Sequence, residues 1–167
     1  MVEVEDEDED EDEDQVEVHD HDHDHRMPVP RSRELRMNGL DHVAILVSDL
    51  DAAVKLFRDV YGLELAEIEE VPTEKVRVAI FGHGRGRIEL VSPSGPDSPM
   101  AKTIEKRGEG LHHVCLEVPD IAKAMAALKA QGAPLLDEKP RPGAGGSKVA
   151  FVHPKGSRGV LIELKQA

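Results

Sequence analysis

The chain has 167 residues and one cysteine, Cys115, so it fits one domain or two small modules and excludes an intramolecular disulfide. No apolar run approaches the ~20 residues that span a bilayer, and the acidic N-terminus lacks a secretory pattern, so we expect a cytoplasmic protein without membrane contact. The whole chain has a net charge of −13, of which residues 1–26, with 15 acidic residues and one basic residue, contribute −14. The other 19 acidic and 20 basic residues nearly balance and predict no nucleic-acid surface.

Residues 1–37 are a low-complexity acidic and His-rich tail. The alternating Glu and Asp residues, followed by H-D-H-D-H-D-H over His19–His25, include too few apolar side chains to bury a core. We therefore expect disorder up to Met37 and a folded domain over residues 38–167. The His/Asp tract could bind divalent metal loosely, but we prefer a solubilising extension or one added for expression.

The first module, over about residues 39–92, begins with the short aliphatic segment Leu40–Val47, which predicts a strand. Asp49 or Asp51 can then cap a helix that ends at Tyr61, before Gly62. Three further strands are predicted: Leu63–Val71, Val76–Phe81 and Arg87–Val91.

A linker over residues 93–110 contains a predicted short helix, Pro99–Lys106. The second module, over about residues 111–165, repeats the order of the first. Its predicted elements are a strand Leu111–Val118, a helix from the cap Asp120 to Ala130, a stop at Gly132, and strands Pro134–Leu136, Lys148–Val152 and Val160–Leu164.

The two modules are related by sequence. The segment from Leu40 matches the segment from Leu111 at an offset of 71, and the segment around Glu89 matches the one around Glu163 at an offset of 74. We therefore predict a duplicated unit of one strand, one helix and three strands, in the α+β class.

The repeat carries a His and a Glu in each half: His42 and Glu89, then His113 and Glu163. Each Glu lies between two aliphatic residues of a predicted strand, so it faces away from them. If that face is concave, the four side chains converge, and their donor atoms suit a divalent ion such as Co, Ni, Zn or Mn. The alternative to a metal site is that an ancestral His and Glu on the protein surface were duplicated together. Cys115 shares the strand face of His113 and is interpreted as a small core residue, although a ligand or redox role stays open.

A glycine-rich loop over residues 140–148 could bring backbone N–H groups close to a ligand, or could be a mobile hairpin turn. Lys148, Lys155 and Arg158 could supply positive charge for an anionic substrate, with plain solvation as the alternative.

Four segments together resemble the methylmalonyl-CoA epimerases, a family of the vicinal oxygen chelate (glyoxalase/bleomycin resistance/dioxygenase) superfamily. They are L-D-H-V-A-I, R-G-E-G-L-H-H-V, P-R-P-G-A-G-G-S-K-V-A-F-V-H-P-K and G-V-L-I-E-L. The resemblance covers roughly residues 39–165 and implies paired β-α-β-β-β modules that form a cupped, barrel-like mixed sheet around one divalent metal. The implied ligands are His42, Glu89, His113 and Glu163, the metal that the family favours is cobalt, and relatives commonly form homodimers.

The resemblance also implies a reaction, the inversion of the α-carbon of (R)- and (S)-methylmalonyl-CoA through a metal-stabilised enolate. Glu163 would be one proton-transfer group, and Lys148 and Lys155 would bind substrate. Inversion needs a second group. Some relatives have a Glu where this chain has Val78. Either that alignment slips, or another group such as Glu74 or a water replaces it, or the enolate is reprotonated by a different route. The alternatives are a lactoylglutathione lyase of the glyoxalase I type and a non-catalytic small-molecule-binding protein of the same fold.

Overall fold

The structure is a computed structural model that describes residues 35–167. The strands of this part are β1 (Gly39–Leu46), β2 (Leu65–Val71), β3 (Val76–Phe81), β4 (Arg87–Pro93), β5 (Gly110–Glu117), β6 (Arg141–Pro142), β7 (Lys148–Val152) and β8 (Leu161–Gln166). The helices are α1 (Leu50–Lys55), α2 (Pro99–Arg107) and α3 (Ile121–Ala130), and a π-helical turn over Leu56–Val60 continues α1.

The eight strands form one mixed sheet in the order β2-β3-β4-β1-β5-β8-β7-β6, which curls into a half-barrel. Within each module the first and last strands pair in parallel, β1 with β4 and β5 with β8. The modules meet where β1 and β5 pair antiparallel. Because the strand order of one half mirrors that of the other, the predicted α+β repeat fold is confirmed.

The helices begin and end where the sequence supplies capping residues. Asp49 accepts a hydrogen bond from the backbone N–H of Ala52, and Asp120 accepts one from that of Lys123. Gly132 follows α3 in the left-handed region, at φ +79°, where a side chain would be strained. No helix of the described residues is long and apolar enough to cross a membrane.

Two aliphatic cores fill one face of the sheet. The first lies under α1 and consists of Val47, Leu50, Val54, Ala79, Phe81 and Leu90. The second lies under α3 and consists of Val118, Ile121, Ala124, Met125, Ala150 and Leu164. A third buried cluster, against which α2 packs, lies on the opposite, concave face, and the rest of that face on the central strands can line a site.

The largest difference from the predicted elements lies in the second module. Pro134–Leu136 is not a strand, because only Leu135 forms an isolated bridge, to Val152. The edge strand is instead β6, which lies inside the predicted glycine-rich loop and pairs antiparallel with β7. Pro134 and Pro140 flank a segment that has no alternating apolar pattern, so the sequence gives no periodic signal for this edge.

The predicted tail of residues 1–37 lies outside the described residues except for its last three. Of these, Leu35 and Met37 are partly buried and pack against the core under α3. The disorder and the possible metal binding predicted for the tail, including His19–His25, stay predictions.

Leu90 is fully buried in the first core, so Leu90→Ala should lower the free energy of unfolding by about 2–5 kcal/mol. Urea denaturation followed by circular dichroism measures this change. Leu136→Ala is the matched control, because Leu136 is 54 % exposed and its truncation should cost less than about 1 kcal/mol. Equal effects of the two substitutions would contradict the assignment of Leu90 to the core.

Candidate metal centre

The four central strands of the sheet, β4, β1, β5 and β8, each carry one of the predicted ligands: Glu89, His42, His113 and Glu163. Leu90 and Leu164 point into the two cores and are fully buried. Because side chains alternate along a strand, Glu89 and Glu163 point to the opposite, concave face. The structure therefore brings all four predicted side chains to one face.

Three of these side chains converge on one point. The Nε2 atoms of His42 and His113 are 3.1 Å apart. The Glu163 Oε2 atom lies 2.7 Å from Nε2 of His113 and 3.6 Å from Nε2 of His42. The Glu89 Oε1 atom approaches the other nitrogen of His42, Nδ1, at 3.3 Å. Glu89 therefore adjoins the group from the far side of the His42 ring.

Two β-bulges place a further side chain beside each histidine. In the β1–β5 ladder, Leu40 pairs with Leu116 and His42 with Cys115, so Asp41 is an extra residue. Ala44 then pairs with His113 and Ile45 with Leu111, so His112 is the extra residue on the other strand. Asp41 and His112 are related by the repeat offset of 71.

Both extra residues contact the neighbouring histidine. The Asp41 Oδ1 atom lies 2.7 Å from Nδ1 of His42. The Nδ1 atoms of His112 and His113 are 2.8 Å apart. Sequence reasoning selected neither Asp41 nor His112. The signal that could have found them is that a polar residue precedes the ligand histidine in both repeats.

Two cations hold Asp41 in its buried position. Arg87 Nη2 lies 2.5 Å and Lys165 Nζ 3.2 Å from Asp41 Oδ1. The same Arg87 nitrogen is 3.5 Å from Glu89 Oε1, whereas the buried Nε atom of Arg87 has no hydrogen-bond partner among the described residues. Burial alone would raise the pKa of Asp41, but hydrogen bonding to His42 and the charge of Lys165 outweigh it and lower the pKa.

The two glutamates of the group differ in their electrostatic environments. Burial would raise the pKa of Glu163, but hydrogen bonds from His113 and His42 lower it to about 2. Burial raises the pKa of Glu89, against the opposing charges of His42 and Arg87. Glu163 is therefore the carboxylate that stays ionised most readily.

The pKa values of His42 and His112 are shifted in opposite directions. Burial would lower the pKa of His42, but the hydrogen bond to Glu163 and the charge of Glu89 outweigh it and raise the pKa. Burial, followed by the charge of His113, lowers the pKa of His112 to about 4. His112 is therefore a neutral imidazole at physiological pH.

Cys115 forms part of the floor of the group. It pairs with His42 on one side and with Glu163 on the other, and it is fully buried. Burial, followed by the charge of Glu163, raises the pKa of its thiol. Its sulfur also lies within 4.8 Å of donor atoms of Asp41 and His42, so the core role and the ligand role of Cys115 both stay predictions.

The third-strand position at which some relatives have a Glu is aliphatic here. Val78 lies in a buried cluster on the concave face with Ala44, Leu46 and Val91, against which Met100 and Ile104 of α2 pack. Glu74 lies in the exposed turn between β2 and β3. Neither residue therefore supplies a proton-transfer group next to His42 and Glu163.

The basic residues predicted for substrate binding lie outside the group. Lys148 begins β7 and Lys155 lies in the 3-10 turn Pro154–Gly156; both are exposed, as is Arg158. Sequence reasoning missed another cation, Arg141, which packs on the ring of Phe151. The guanidinium of Arg141 lies 5.0 Å from the ring centroid of Phe151, which is 6.0 Å from that of His113.

The donor set fits a divalent metal. Two imidazole nitrogens face each other at hydrogen-bond distance, although a single proton at most can lie between them. A buried carboxylate oxygen completes the group, and the three donor atoms lie within 4.8 Å of one another. Nitrogen and oxygen donors of this kind suit the borderline divalent ions of the first transition series and zinc.

Comparisons with known proteins agree with this geometry. The family profile "Glyoxalase/Bleomycin resistance protein/Dioxygenase superfamily" matches residues 41–151. The chain is 42 % identical to an ethylmalonyl-CoA/methylmalonyl-CoA epimerase of Cereibacter sphaeroides, over 76 % of this chain and 96 % of the relative. It is 39 % identical to a mitochondrial methylmalonyl-CoA epimerase of Mus musculus, over 79 % and 75 %.

A solved structure is also similar. The methylmalonyl-CoA epimerase of Streptomyces coelicolor in complex with 2-nitronate-propionyl-CoA superposes with a TM-score of 0.74 and 33 % identity, over 79 % of this chain and 99 % of the other. The similarity to a lactoylglutathione lyase of Arabidopsis thaliana is lower, at 30 % identity, and spans 43 % of that relative.

The stability of the metal-free protein should depend on pH through Glu163 and His42. The contribution of Glu163 is present above its ordinary pKa of 4.5 and is lost as the pH falls toward about 2. The contribution of His42 is present below its ordinary pKa of 6.5 and is lost as the pH rises through the raised pKa. In chelator, the difference in melting temperature between wild type and Glu163→Gln should therefore be largest between pH 4.5 and 6.5.

Thermal unfolding in buffers across this range measures the difference. Glu138→Gln is the control, since Glu138 is exposed and its removal should not reproduce the pH profile. A difference that does not vary with pH would contradict the ionic link between Glu163 and the two histidines.

Proposed function

The chain belongs to the glyoxalase/bleomycin resistance protein/dioxygenase superfamily, and we infer that it is a methylmalonyl-CoA epimerase. The observation that carries this inference is the convergence of His42, His113 and Glu163 in a chain that is 42 % identical to a named epimerase over 76 % of its length. The reaction is the interconversion of (R)- and (S)-methylmalonyl-CoA by removal and return of the α-proton.

His42, Glu89, His113 and Glu163 are proposed to hold one divalent ion. When bound, such an ion supplies a Lewis acid that stabilises negative charge on the carboxylate and thioester oxygens of the substrate. Cobalt is the metal we propose, and the mixed nitrogen and oxygen donor set supports it together with Mn, Ni and Zn. The donor atoms that lie within 4.8 Å of one another belong to His42, His113 and Glu163, and Glu89 lies beside them, with Oε1 3.3 Å from Nδ1 of His42.

Glu163 is proposed to be the proton-transfer residue that takes up the α-proton. Its carboxyl group is ionised, because the hydrogen bonds from His113 and His42 lower its pKa. Those contacts occupy Oε2, and Oε1 makes no hydrogen bond or ion pair among the described residues. Oε1 is therefore the atom available to accept a proton.

The aliphatic cluster around Val78 determines how the proton returns. In relatives with a Glu at this position, a carboxyl group could serve as the second acid. Here Val78 is 7 % exposed and packed among aliphatic side chains, so reprotonation does not use a carboxyl group on β3. The same cluster is an apolar wall that excludes water from one side of the group.

Lys148 and Lys155 are proposed to bind the phosphates of the CoA moiety. Lys148 follows the glycine-rich turn Ala144–Gly146, in which Gly145 and Gly146 both have positive φ. Gly143 cannot be replaced without a shift, because a Cβ atom there would lie 2.6 Å from the Ser147 hydroxyl oxygen. This turn therefore has a backbone shape that depends on glycine, next to an exposed cation.

The runner-up, a lactoylglutathione lyase, uses the same kind of donor set. The lower identity of the lyase and its 43 % coverage, against 96 % for the bacterial epimerase, favour the epimerase.

The homodimer and the cytoplasmic location stay predictions. The exposed apolar side chains Leu56, Val60 and Tyr61, at the end of the first helix, support a contact between copies.

Exchange of the α-proton of methylmalonyl-CoA with deuterated solvent tests the epimerase function directly. Enzyme stripped with chelator should regain exchange with inversion on addition of Co²⁺, and Glu163→Gln should lower the rate by about 10²–10⁴-fold. Mass spectrometry of the acyl group, with chiral separation of the products, measures exchange and inversion together.

Glu138→Gln is the matched control for Glu163→Gln, because it removes an exposed carboxylate outside the group. Metal-dependent exchange that persists in Glu163→Gln would contradict the role of Glu163. No exchange by the loaded wild type would contradict the epimerase function, and turnover of methylglyoxal with glutathione would then favour the lyase.

Lys148→Ala and Lys155→Ala should each raise KM for the CoA thioester about two- to fivefold and leave kcat nearly unchanged, because they affect binding far from the reacting carbon. The increase should shrink at high salt. Steady-state kinetics at two salt concentrations measure this. Lys123→Ala, at an exposed position on α3, is the control, and an equal increase in KM there would contradict the assignment.

A further inference from the structure

The matched bulges of β1 and β5 give each ligand histidine an outer partner, and the two partners are chemically different. In the first module the partner of His42 is the carboxylate of Asp41, at 2.7 Å. In the second module the partner of His113 is the imidazole of His112, at 2.8 Å. A carboxylate can act only as the acceptor of a hydrogen bond from an imidazole N–H, whereas two imidazoles can exchange donor and acceptor roles.

The partner of His42 determines which of its nitrogens faces the group. With Asp41 as the acceptor for Nδ1–H, Nε2, which faces His113 and Glu163, is the nitrogen left to release its proton when a metal ion binds. A histidine that binds a metal through one nitrogen commonly donates its other N–H to a carboxylate, which fixes the tautomer and the ring orientation. Asp41 occupies that position.

Asp41 also competes with Glu89. The Nδ1 atom of His42 is 2.7 Å from Asp41 Oδ1 and 3.3 Å from Glu89 Oε1. Since Asp41 is the closer acceptor, Glu89 does not have to satisfy Nδ1–H. Without Asp41, Glu89 would be the nearest described carboxylate for that N–H and would be held beside Nδ1, on the far side of the ring from Nε2.

The environment of Asp41 suits its role as the hydrogen-bond acceptor for Nδ1–H of His42. Arg87 and Lys165 contact the same carboxylate oxygen, and Asp41 is 7 % exposed. Two cations on one buried carboxylate compensate its charge and restrict its rotamer. The bulge turns the side chain of Asp41 to the concave face, where an unbulged strand would turn it to the opposite face.

We propose that Asp41 is a positioning residue for the metal, which holds His42 with Nε2 toward the ion and leaves Glu89 free to bind it. This inference rests on the metal site of the proposed function. It does not depend on the identity of the substrate, so metal binding tests it without turnover.

The experiment compares Co²⁺ affinity in wild type, Asp41→Asn and Glu117→Gln, each stripped of metal and titrated in competition with a chromophoric chelator. Asp41→Asn should raise Kd about 10–100-fold. Glu117→Gln is the matched control, because Glu117 bonds to Arg85 and Asn38 at the same end of the β1–β5 pair without contact to a ligand. Its Kd should stay within about threefold of wild type.

A second measurement does not require a variant that folds. In the zinc-loaded wild type with ¹⁵N-labelled histidine, long-range proton–nitrogen spectra should show His42 bound through Nε2 and protonated at Nδ1. Coordination through Nδ1, or a Kd of Asp41→Asn within threefold of wild type, would overturn the role of Asp41 alone. Failure of the wild type to bind Co²⁺ or Zn²⁺ would overturn the metal site, and the role of Asp41 with it.

Discussion

The alternation of side chains along four adjacent strands is the constraint on which the site depends. On β4, β1, β5 and β8 one set of positions enters the aliphatic cores and the other set faces the concave surface. A shift of one residue in any of these strands would move a histidine or glutamate into a dry core, at a cost of several kcal/mol per buried charge. The cores under α1 and α3 therefore fix the register that brings the donors together.

The bulges at Asp41 and His112 interrupt the alternation of side chains at two points. Each adds a residue to one strand of the central pair, so two consecutive polar side chains face the same side. The consequence is a layered arrangement, in which the histidines form the inner layer and Asp41, His112, Arg87 and Lys165 form the outer one. In the outer layer Asp41 gives Nδ1 of His42 an acceptor that is closer than Glu89.

Much of the fold could be predicted, because the repeat is visible and its strands are strongly aliphatic. The limits of β3 and β7 agree with the predicted strands Val76–Phe81 and Lys148–Val152. The bulges could not be predicted, because they depend on the pairing of strands about 70 residues apart and leave no mark on local periodicity. β6 was missed because it is a short edge with a proline, and Arg141 because its neighbour Phe151 is on a different strand.

The antiparallel contact of β1 with β5 has a consequence for the origin of the site. These strands are equivalent members of the repeat, and antiparallel pairing of equivalent strands is the arrangement that a twofold axis generates. Each module contributes one histidine and one glutamate, so a single module holds half of the proposed donor set. Two identical, unfused modules paired through this strand would present the same four donors. Fusion of such a pair would let the halves diverge, and the carboxylate at residue 41 and the imidazole at residue 112 are one such divergence.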